Sequence, residues 1–420
     1  MKTVIDILKE RGFIESLSSD ELSSILSKPQ KIYCGFDPTA DSLHLGNLVA
    51  IIGLTWFQRF GHTPVVIVGG ATGMIGDPGG KSVERNLQTQ EQVDHNLKGI
   101  KALLENVIKG EPAPLVLNNF EWMKKFSFID FLRDVGKHFR MSVMLAKESV
   151  KARLESEEGI SFTEFSYQLL QAYDFLYLFQ NHHVKIQIGG SDQWGNIVGG
   201  VELIRKVLGE SAFGVTFPLL TRSDGKKFGK SENGAIWLSK EKLSPYEFYQ
   251  YLVRVPDADV IKLMKMLTFL DLDVIAEYEN AMKQEGYLPN TAQKKLAEEV
   301  TRFVHGEEGL EKALLATKAA APGSETVLDA DSLEIAMKDM PYFEPELLVG
   351  SKLIDLIADS GLRPSKSAAR RLIREGGVSL NNKKINDEEK VIQTEDLIGN
   401  RFVVVTLGKK QKMLVKQKKI

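Results

Sequence analysis

Two hydrophobic periods alternate along the first 220 residues. Short apolar runs rich in β-branched side chains at 31–37, 64–70, 115–118 and 184–189 predict strands, each bounded by glycine or polar residues. Between them, 45–60, 89–108 and 163–179 repeat their apolar positions at intervals of three and four, the spacing of an amphipathic helix. Strand and helix in alternation predict a Rossmann-like, doubly wound α/β domain on a parallel sheet, assigned to residues 1–222.

Beyond residue 244 the period is helical. Ser244, Pro245 and Glu247 form a helix start: a capping serine, a proline at the first helical position, and a glutamate placed to complete a capping box. Helical spacing continues over 260–284 and 291–319, so 223–322 reads as a loop followed by an α-helical domain. The breaker run Ala321-Pro322-Gly323-Ser324 and a second irregular stretch at 341–350 mark 323–350 as a linker. Residues 351–420 combine helices at 352–360 and 365–375 with strand-like runs at 377–380 and 401–407, a small α+β domain.

Composition narrows the compartment. The chain is 43% hydrophobic and 26% charged, and no run approaches the roughly 18 apolar residues of a membrane span. Its start, MKTVIDILKERGF, lacks an apolar signal core. One cysteine, Cys34, excludes an internal disulfide and a cysteine zinc cluster, so a reducing cytoplasm is expected. The net charge of −2 conceals an asymmetry, because residues 351–420 hold 16 Lys and Arg against 8 Asp and Glu. Lys366, Arg370, Arg371 and Arg374 fall at helical spacing there, which suits a phosphate backbone and equally a solvated tail.

Two segments carry candidate chemistry. Tyr33 to Asn47 runs from a strand through a polar loop into a helix, and a helix start after a parallel strand offers backbone N–H groups to a triphosphate. Gly46 leaves room for an adenine ring over the backbone, while Thr39, His44 and Asn47 supply polar groups. The second segment, Lys226-Lys227-Phe228-Gly229-Lys230-Ser231, is a glycine-containing loop whose lysines are suited to closing over phosphate. Competing nucleotide motifs fail on spacing. Gly80-Lys81-Ser82 has Ile75 where a P-loop needs its first glycine, and residues 69–80 hold no dinucleotide fingerprint.

Specificity has its own candidates. Tyr167, Gln171 and Asp174 share one face of the 163–179 helix, as either a binding set or an ordinary polar stripe. Gly190, Asp192 and Gln193 stand where a strand gives way to a helix, the position at which open α/β sheets bind ligands.

Taken in this order, the two loops resemble the signatures of the class I aminoacyl-tRNA synthetases, and the whole chain resembles the bacterial tyrosyl type. His44-Leu45-Gly46-Asn47 is similar to the HIGH signature, with Asn47 in place of its second histidine, where an amide can supply the donor. Lys227-Phe228-Gly229-Lys230-Ser231 is similar to KMSKS. The resemblance implies a ligase that forms an aminoacyl adenylate from tyrosine and ATP, releases pyrophosphate, and then charges tRNA(Tyr). It implies that Tyr33 and Asp174 bind the substrate phenol, that Tyr167, Gln171 and Asp77 hold its ammonium, and that Gln193 faces the carboxylate. Cys34, Gly35, Asp37, Gly46, Gly190, Asp192, Lys230 and Ser231 are implied for ATP. Thr39 and His44 are assigned to the departing phosphates, Asn47 to the sugar-ring side, and Lys227 and Lys230, together with Lys81 and Arg85, to transition-state charge, with Mg2+ carried in by the nucleotide.

Arg205 and Lys206 are expected to hold the tRNA acceptor stem, and the resemblance implies an S4-like end domain whose Lys366, Arg370, Arg371 and Arg374 would take the anticodon arm or the variable arm. The resemblance further implies a homodimer with residues 120–145 near the interface. Three rival readings remain: an RNA-binding relic of a synthetase, a small-metabolite adenylyltransferase, and a tryptophan enzyme. Intact polar site residues oppose the first, and the extension from 240 to 420 opposes the second. An indole, with one donor and no acceptor for Tyr33, opposes the third.

Overall fold

The computed structural model describes residues 2–79, 87–156, 159–225, 227–231, 234–320, 330, 333–334, 342–408 and 411–418, with backbone alone for 148, 149, 152, 230, 231, 319 and 320. They divide into two compact units, residues 1–243 with 253–300, and residues 244–252 with 301–420.

The first unit is built on a six-stranded sheet: β1 (Ser16–Leu17), β2 (Lys31–Phe36), β3 (Thr63–Val68), β4 (Leu115–Asn118), β5 (Ile186–Gly190) and β6 (Phe213–Phe217). Their order is β1-β6-β5-β2-β3-β4, with only the β1–β6 pair antiparallel. The parallel strands are near-continuous apolar runs because helices cover both sheet faces, and β3 is buried from Pro64 to Val68. The doubly wound fold read from the sequence is therefore present. Its helices include α1 (Leu48–Arg59), α2 (Gln90–Val107), α3 (Phe162–His182) and α4 (Trp194–Leu208).

Some boundaries move, each for a local reason. The predicted strand 64–70 ends at Val68, because Gly69 and Gly70 turn the chain, the Gly70 N–H donating to the Val68 carbonyl at 2.9 Å. The helix expected from residue 45 opens with a single 3-10 turn, Leu45–Asn47. The 260–284 period resolves into α6 (Asp257–Leu267) and α7 (Leu272–Ala281). At the break between them the buried Arg11 guanidinium donates to the carbonyls of Lys265 (2.8 Å), Thr268 (2.6 Å) and Leu270 (2.8 Å), partnering groups that a helix end leaves unpaired. The 291–319 period forms α8 (Thr291–Ala320), which leaves helical geometry at Gly306, whose φ is +73°.

In the second unit, α5 (Pro245–Val253) has the predicted start. Ser244 Oγ donates to Glu247 Oε2 at 2.7 Å, and the Glu247 N–H donates back to Ser244 Oγ at 3.2 Å. Helices α9 (Leu353–Asp359) and α10 (Lys366–Arg374) belong to the same unit as a five-stranded sheet. Its strands are β9 (Tyr342–Phe343), β10 (Val378–Leu380), β11 (Lys383–Lys384), β12 (Phe402–Leu407) and β13 (Gln411–Lys416), in the order β11-β10-β12-β13-β9. Ile354, Ile357, Ala369 and Ile373 from the helices close over Val378, Val403, Val405 and Val415. The described part of the expected linker is built into this unit, since Leu333 is buried with Phe402, Val404 and Leu414, and β9 pairs with β13. Elsewhere in the first unit, a short pair, β7 (Lys230–Ser231) and β8 (Gly234–Ala235), follows the lysine loop.

Candidate active site

Strand β2 leads through helices to β3 and β4 on one side, while β5 and β6 lie on its other side, so the order reverses between β2 and β5. That switch point leaves a crevice beyond the carboxyl ends of the strands. A cavity of about 410 Å³ occupies it, lined by the ends of β2 and β5, the 37–50 segment, one face of α3, and the loop around Phe228.

Asp174 lies at the buried end, 2% exposed. Its Oδ1 accepts from the Trp122 indole N–H at 2.7 Å and its Oδ2 from the Asn119 amide at 2.9 Å. Burial raises its carboxyl to about 7 against these two donors, which favour the ionised form. Burial and the Asp174 charge hold the Tyr33 phenol well above its ordinary value, so it is a neutral hydroxyl.

Tyr167 and Gln171 lie on the same helix face as Asp174, and all three line the cavity. The Tyr167 hydroxyl donates to Asp37 Oδ2 at 2.7 Å, and Thr72 Oγ1 donates to Asp37 Oδ1 at 2.7 Å. Gly69 is required beside this group, since a Cβ there would meet Thr72 Oγ1 at 2.2 Å and Asp37 Oδ1 at 2.3 Å. Asp37, which the resemblance assigned to ATP, is thus bonded to the polar face of α3. Asp77 accepts from the Gly79 N–H at 2.9 Å and from the Gln193 amide at 2.6 Å, while the Asn196 amide donates to Gln171 at 3.0 Å.

The other end of the cavity is built by the two loops. The Gly46 N–H donates to His44 Nδ1 and the His44 N–H to Asn47 Oδ1, both at 3.1 Å, a reciprocal cap that fixes both side chains at the helix start. Gly229 of the lysine loop, at φ +90°, comes so close that a Cβ on it would stand 3.0 Å from the Gly46 nitrogen. Ile236 bridges the two loops, its N–H donating to the Gly229 carbonyl at 3.0 Å and its carbonyl accepting from the Leu45 N–H at 2.7 Å. Thr39, Gly35, Gly190, Asp192 and Lys227 also line the cavity. Burial and the Asp77 charge raise the Asp192 carboxyl, which a Gln193 hydrogen bond and, less, the Lys227 charge partly offset. Cys34 is buried and pushed up to about 12, so it is a thiol without nucleophilic character.

Lys81, Arg85 and Lys226 lie outside the described residues, as do the side chains of Lys230 and Ser231. Arg205 and Lys206, at the end of α4, are occupied locally: Arg205 pairs with Glu202 at 2.7 Å, and Lys206 donates to the His138 carbonyl at 2.8 Å. In the second unit the four cations of α10 each face a carboxylate: Lys366 with Asp355 (2.9 Å), Arg370 with Glu389 (3.9 Å), Arg371 with Glu375 (3.6 Å) and Arg374 with Glu388 (2.8 Å).

Sequence reasoning missed Asn119 and Trp122, which hold the Asp174 carboxylate, and Thr72, which holds that of Asp37. It also missed Lys147, whose stem lies against Gly195 and whose ammonium lies against Gly199 and is pulled down by burial to about 8, with Asp77 acting in the opposite sense. No spacing rule links any of these to its partner.

A doubly wound sheet whose switch-point cavity joins a polar helix face to two touching loops is the architecture of a class I synthetase. In agreement, residues 26–321 match the family described as tRNA synthetases class I (W and Y), and residues 332–415 match the tyrosine–tRNA ligase SYY-like C-terminal domain. A tyrosine–tRNA ligase of Protochlamydia amoebophila is 60% identical over 99% of both chains. The chloroplastic/mitochondrial tyrosine–tRNA ligase of Arabidopsis thaliana is 53% identical over 98% of this chain and 83% of its own length. A crystal structure of the C-terminally truncated mitochondrial tyrosyl-tRNA synthetase of Aspergillus nidulans superposes with a TM-score of 0.67 at 31% identity, covering 76% of this chain and 94% of that one. The chain belongs to the tyrosine–tRNA ligases of the class I aminoacyl-tRNA synthetase family.

Proposed function

We propose that this chain joins tyrosine to ATP, forming tyrosyl-adenylate and pyrophosphate, and then transfers the tyrosyl group to the 3′ end of tRNA(Tyr). The observation that carries the tyrosine assignment is the buried Asp174 carboxylate, held by Trp122 and Asn119 beside the neutral Tyr33 hydroxyl. A phenol donates to Asp174 and accepts from Tyr33. Phenylalanine would offer Tyr33 no acceptor and would leave the remaining acceptor capacity of Asp174 buried and unused.

The chemistry needs no nucleophile from the protein, because the substrate carboxylate attacks the α-phosphorus and pyrophosphate departs. Asp77, Tyr167 and Gln171 orient the ammonium, and Gln193 directs the carboxylate. Cys34, Gly35, Gly46, Gly190 and Asp192 seat the nucleoside, while Asn47 orients the sugar side. Thr39, His44, Lys227 and Lys230, with Lys81, Arg85 and Ser231, meet the phosphates, whose charge shifts toward the leaving group. Magnesium arrives as part of the nucleotide substrate.

The domain assignment proposed is a catalytic domain over 1–222, the lysine loop and a helical domain over 223–322, a linker over 323–350 whose described residues pack with the end domain, and an RNA-binding domain over 351–420. Arg205 and Lys206 take the acceptor stem. In the end domain, Lys366, Arg370, Arg371 and Arg374 must exchange carboxylates for phosphates, whereas the exposed Lys383 and Lys384 of β11 meet no carboxylate among the described residues. Two copies associate through the segment 120–145, where Phe128, Ile129, Met141 and Val143 are exposed apolar side chains in this single chain. The enzyme works in the cytoplasm. Tyrosine-dependent exchange between pyrophosphate and ATP, run beside phenylalanine and tryptophan, tests the reading. Exchange supported equally by tryptophan would overturn it.

A further inference from the structure

The segment leaving the lysine loop does not drift away from the loop that carries His44. It runs antiparallel to it, one residue at a time. Leu45 donates its N–H to the Ile236 carbonyl at 2.7 Å, His44 and Trp237 are bridge partners, and the Leu238 N–H donates to the Leu43 carbonyl at 2.9 Å. The Ser239 N–H then donates to Ser42 Oγ at 3.1 Å, and the Lys242 ammonium ends the series 2.6 Å from Asp41 Oδ1. Lys242 also lies over the Trp237 ring, 5.2 Å from its centroid, while His95 of α2 stands 4.0 Å from the other Asp41 oxygen. Helix α2 leaves room for this loop at Gly99, where a Cβ would fall 2.2 Å from the Asp41 carbonyl.

From these contacts we infer that the Lys242–Asp41 pair, with Ser239 and Ser42, is a positioning latch that sets the register of the lysine loop on the His44 loop for adenylate formation. Neither Lys242 nor Asp41 is assigned to the substrate. Each acts through the backbone ladder that ends at Gly229 and Leu45, on whose flanks Lys227 and His44 are carried. An in-line displacement tolerates little misplacement of the groups on either side of the phosphate, so loosening the ladder slows the chemical step more than it weakens binding. The pair is partly exposed, with side chains 31% and 38% accessible, and an ion pair so placed adds little to global stability.

The inference rests on the adenylation reading above, and its test separates the two. In the full-length enzyme, Lys242→Met and Asp41→Asn are compared with wild type for tyrosine-dependent pyrophosphate exchange, for tyrosine affinity without ATP, and for Tm. The expected result is a fall of about tenfold in exchange kcat, with tyrosine Kd and Tm unchanged. Lys242→Arg keeps most of the rate, and the exchanged pair D41K/K242D recovers part of what D41K loses. Unchanged kcat in Lys242→Met overturns the latch, as does a loss of kcat matched by equal losses of tyrosine affinity and Tm. Absence of tyrosine-dependent exchange in the wild-type enzyme instead overturns the adenylation reading.

Discussion

The Trp122 indole N–H donates to Asp174 across 2.7 Å at the closed end of the cavity, although 52 residues separate the two in the chain. With Asn119 on the other oxygen, the carboxylate can rotate only by giving up a charged hydrogen bond in a buried site. Trp122→Phe removes one donor while keeping most of the ring. A hydrogen bond to a charged group contributes about 1.5–3 kcal/mol, so tyrosine KM in pyrophosphate exchange rises roughly 10- to 100-fold and ATP KM stays put. Asn119→Ala is expected to act in the same direction. Equal rises for both substrates would mean that the two residues support the fold and not the phenol site.

On the proposed reading, the same carboxylate makes tyrosine binding pH-dependent. Burial raises Asp174 to about 7, so the ionised fraction of the free site grows as pH climbs through neutrality. Only the ionised form is purely an acceptor for the substrate phenol. Tyrosine affinity, followed by equilibrium dialysis from about pH 5.5 to 8.5, therefore rises with pH up to roughly 7 and then levels. In Asp174→Asn affinity is weak and its dependence over this window is flat. A wild-type profile without an inflection near neutrality would contradict the assignment.

A second buried pair governs stability instead of chemistry. The Arg153 guanidinium meets Glu164 at 2.8 Å, with both side chains 2% exposed, and its Nε donates to the Gly159 carbonyl at 3.1 Å, closing the turn into α3. Removing one partner leaves the other charge buried without compensation, which costs about 3–5 kcal/mol. Arg153→Met and Glu164→Gln are each expected to lower the urea midpoint strongly, while the double replacement R153M/E164L recovers much of the loss. Single replacements that leave the midpoint in place would show that water reaches the pair.

What was legible in the sequence follows from the range of the forces involved. Helix periodicity put Tyr167, Gln171 and Asp174 on one face, and the structure buries all three along the cavity. The reciprocal cap at Ser244 and Glu247 was equally local and equally readable. Asn119 and Trp122 were not readable, because their partner is chosen by the packing of β4 and the turn after it against α3. Strand β13 was hidden for a related reason. Its apolar core, Met413, Leu414 and Val415, is flanked by lysines, and only pairing with β12 along its full length makes it a strand. The resemblance assigned Asp37 to the nucleotide, and Tyr167 and Thr72, both distant in the chain, hold its carboxylate.

The cations of the end domain separate by what already neutralises them. Those of α10 face Asp355, Glu375, Glu388 and Glu389, so each phosphate contact they make breaks an existing pair. Lys383 and Lys384 follow the tight turn at Asn381 and Asn382, whose φ values are +50° and +65°. That turn is braced by Asn381, which accepts from the Val404 N–H at 2.8 Å, so the two lysines are presented on a fixed edge. RNA contacts release counterions, and log affinity falls with log salt by about 0.7 to 0.9 for each phosphate neutralised. Lys383→Ala with Lys384→Ala is therefore expected to raise the tRNA KM in charging and reduce the salt slope by about 1 to 2, with pyrophosphate exchange unchanged. Lys366→Ala, whose ammonium is already paired, is expected to change the slope by less than half of that. A larger effect from Lys366 than from the β11 pair would place the RNA on α10.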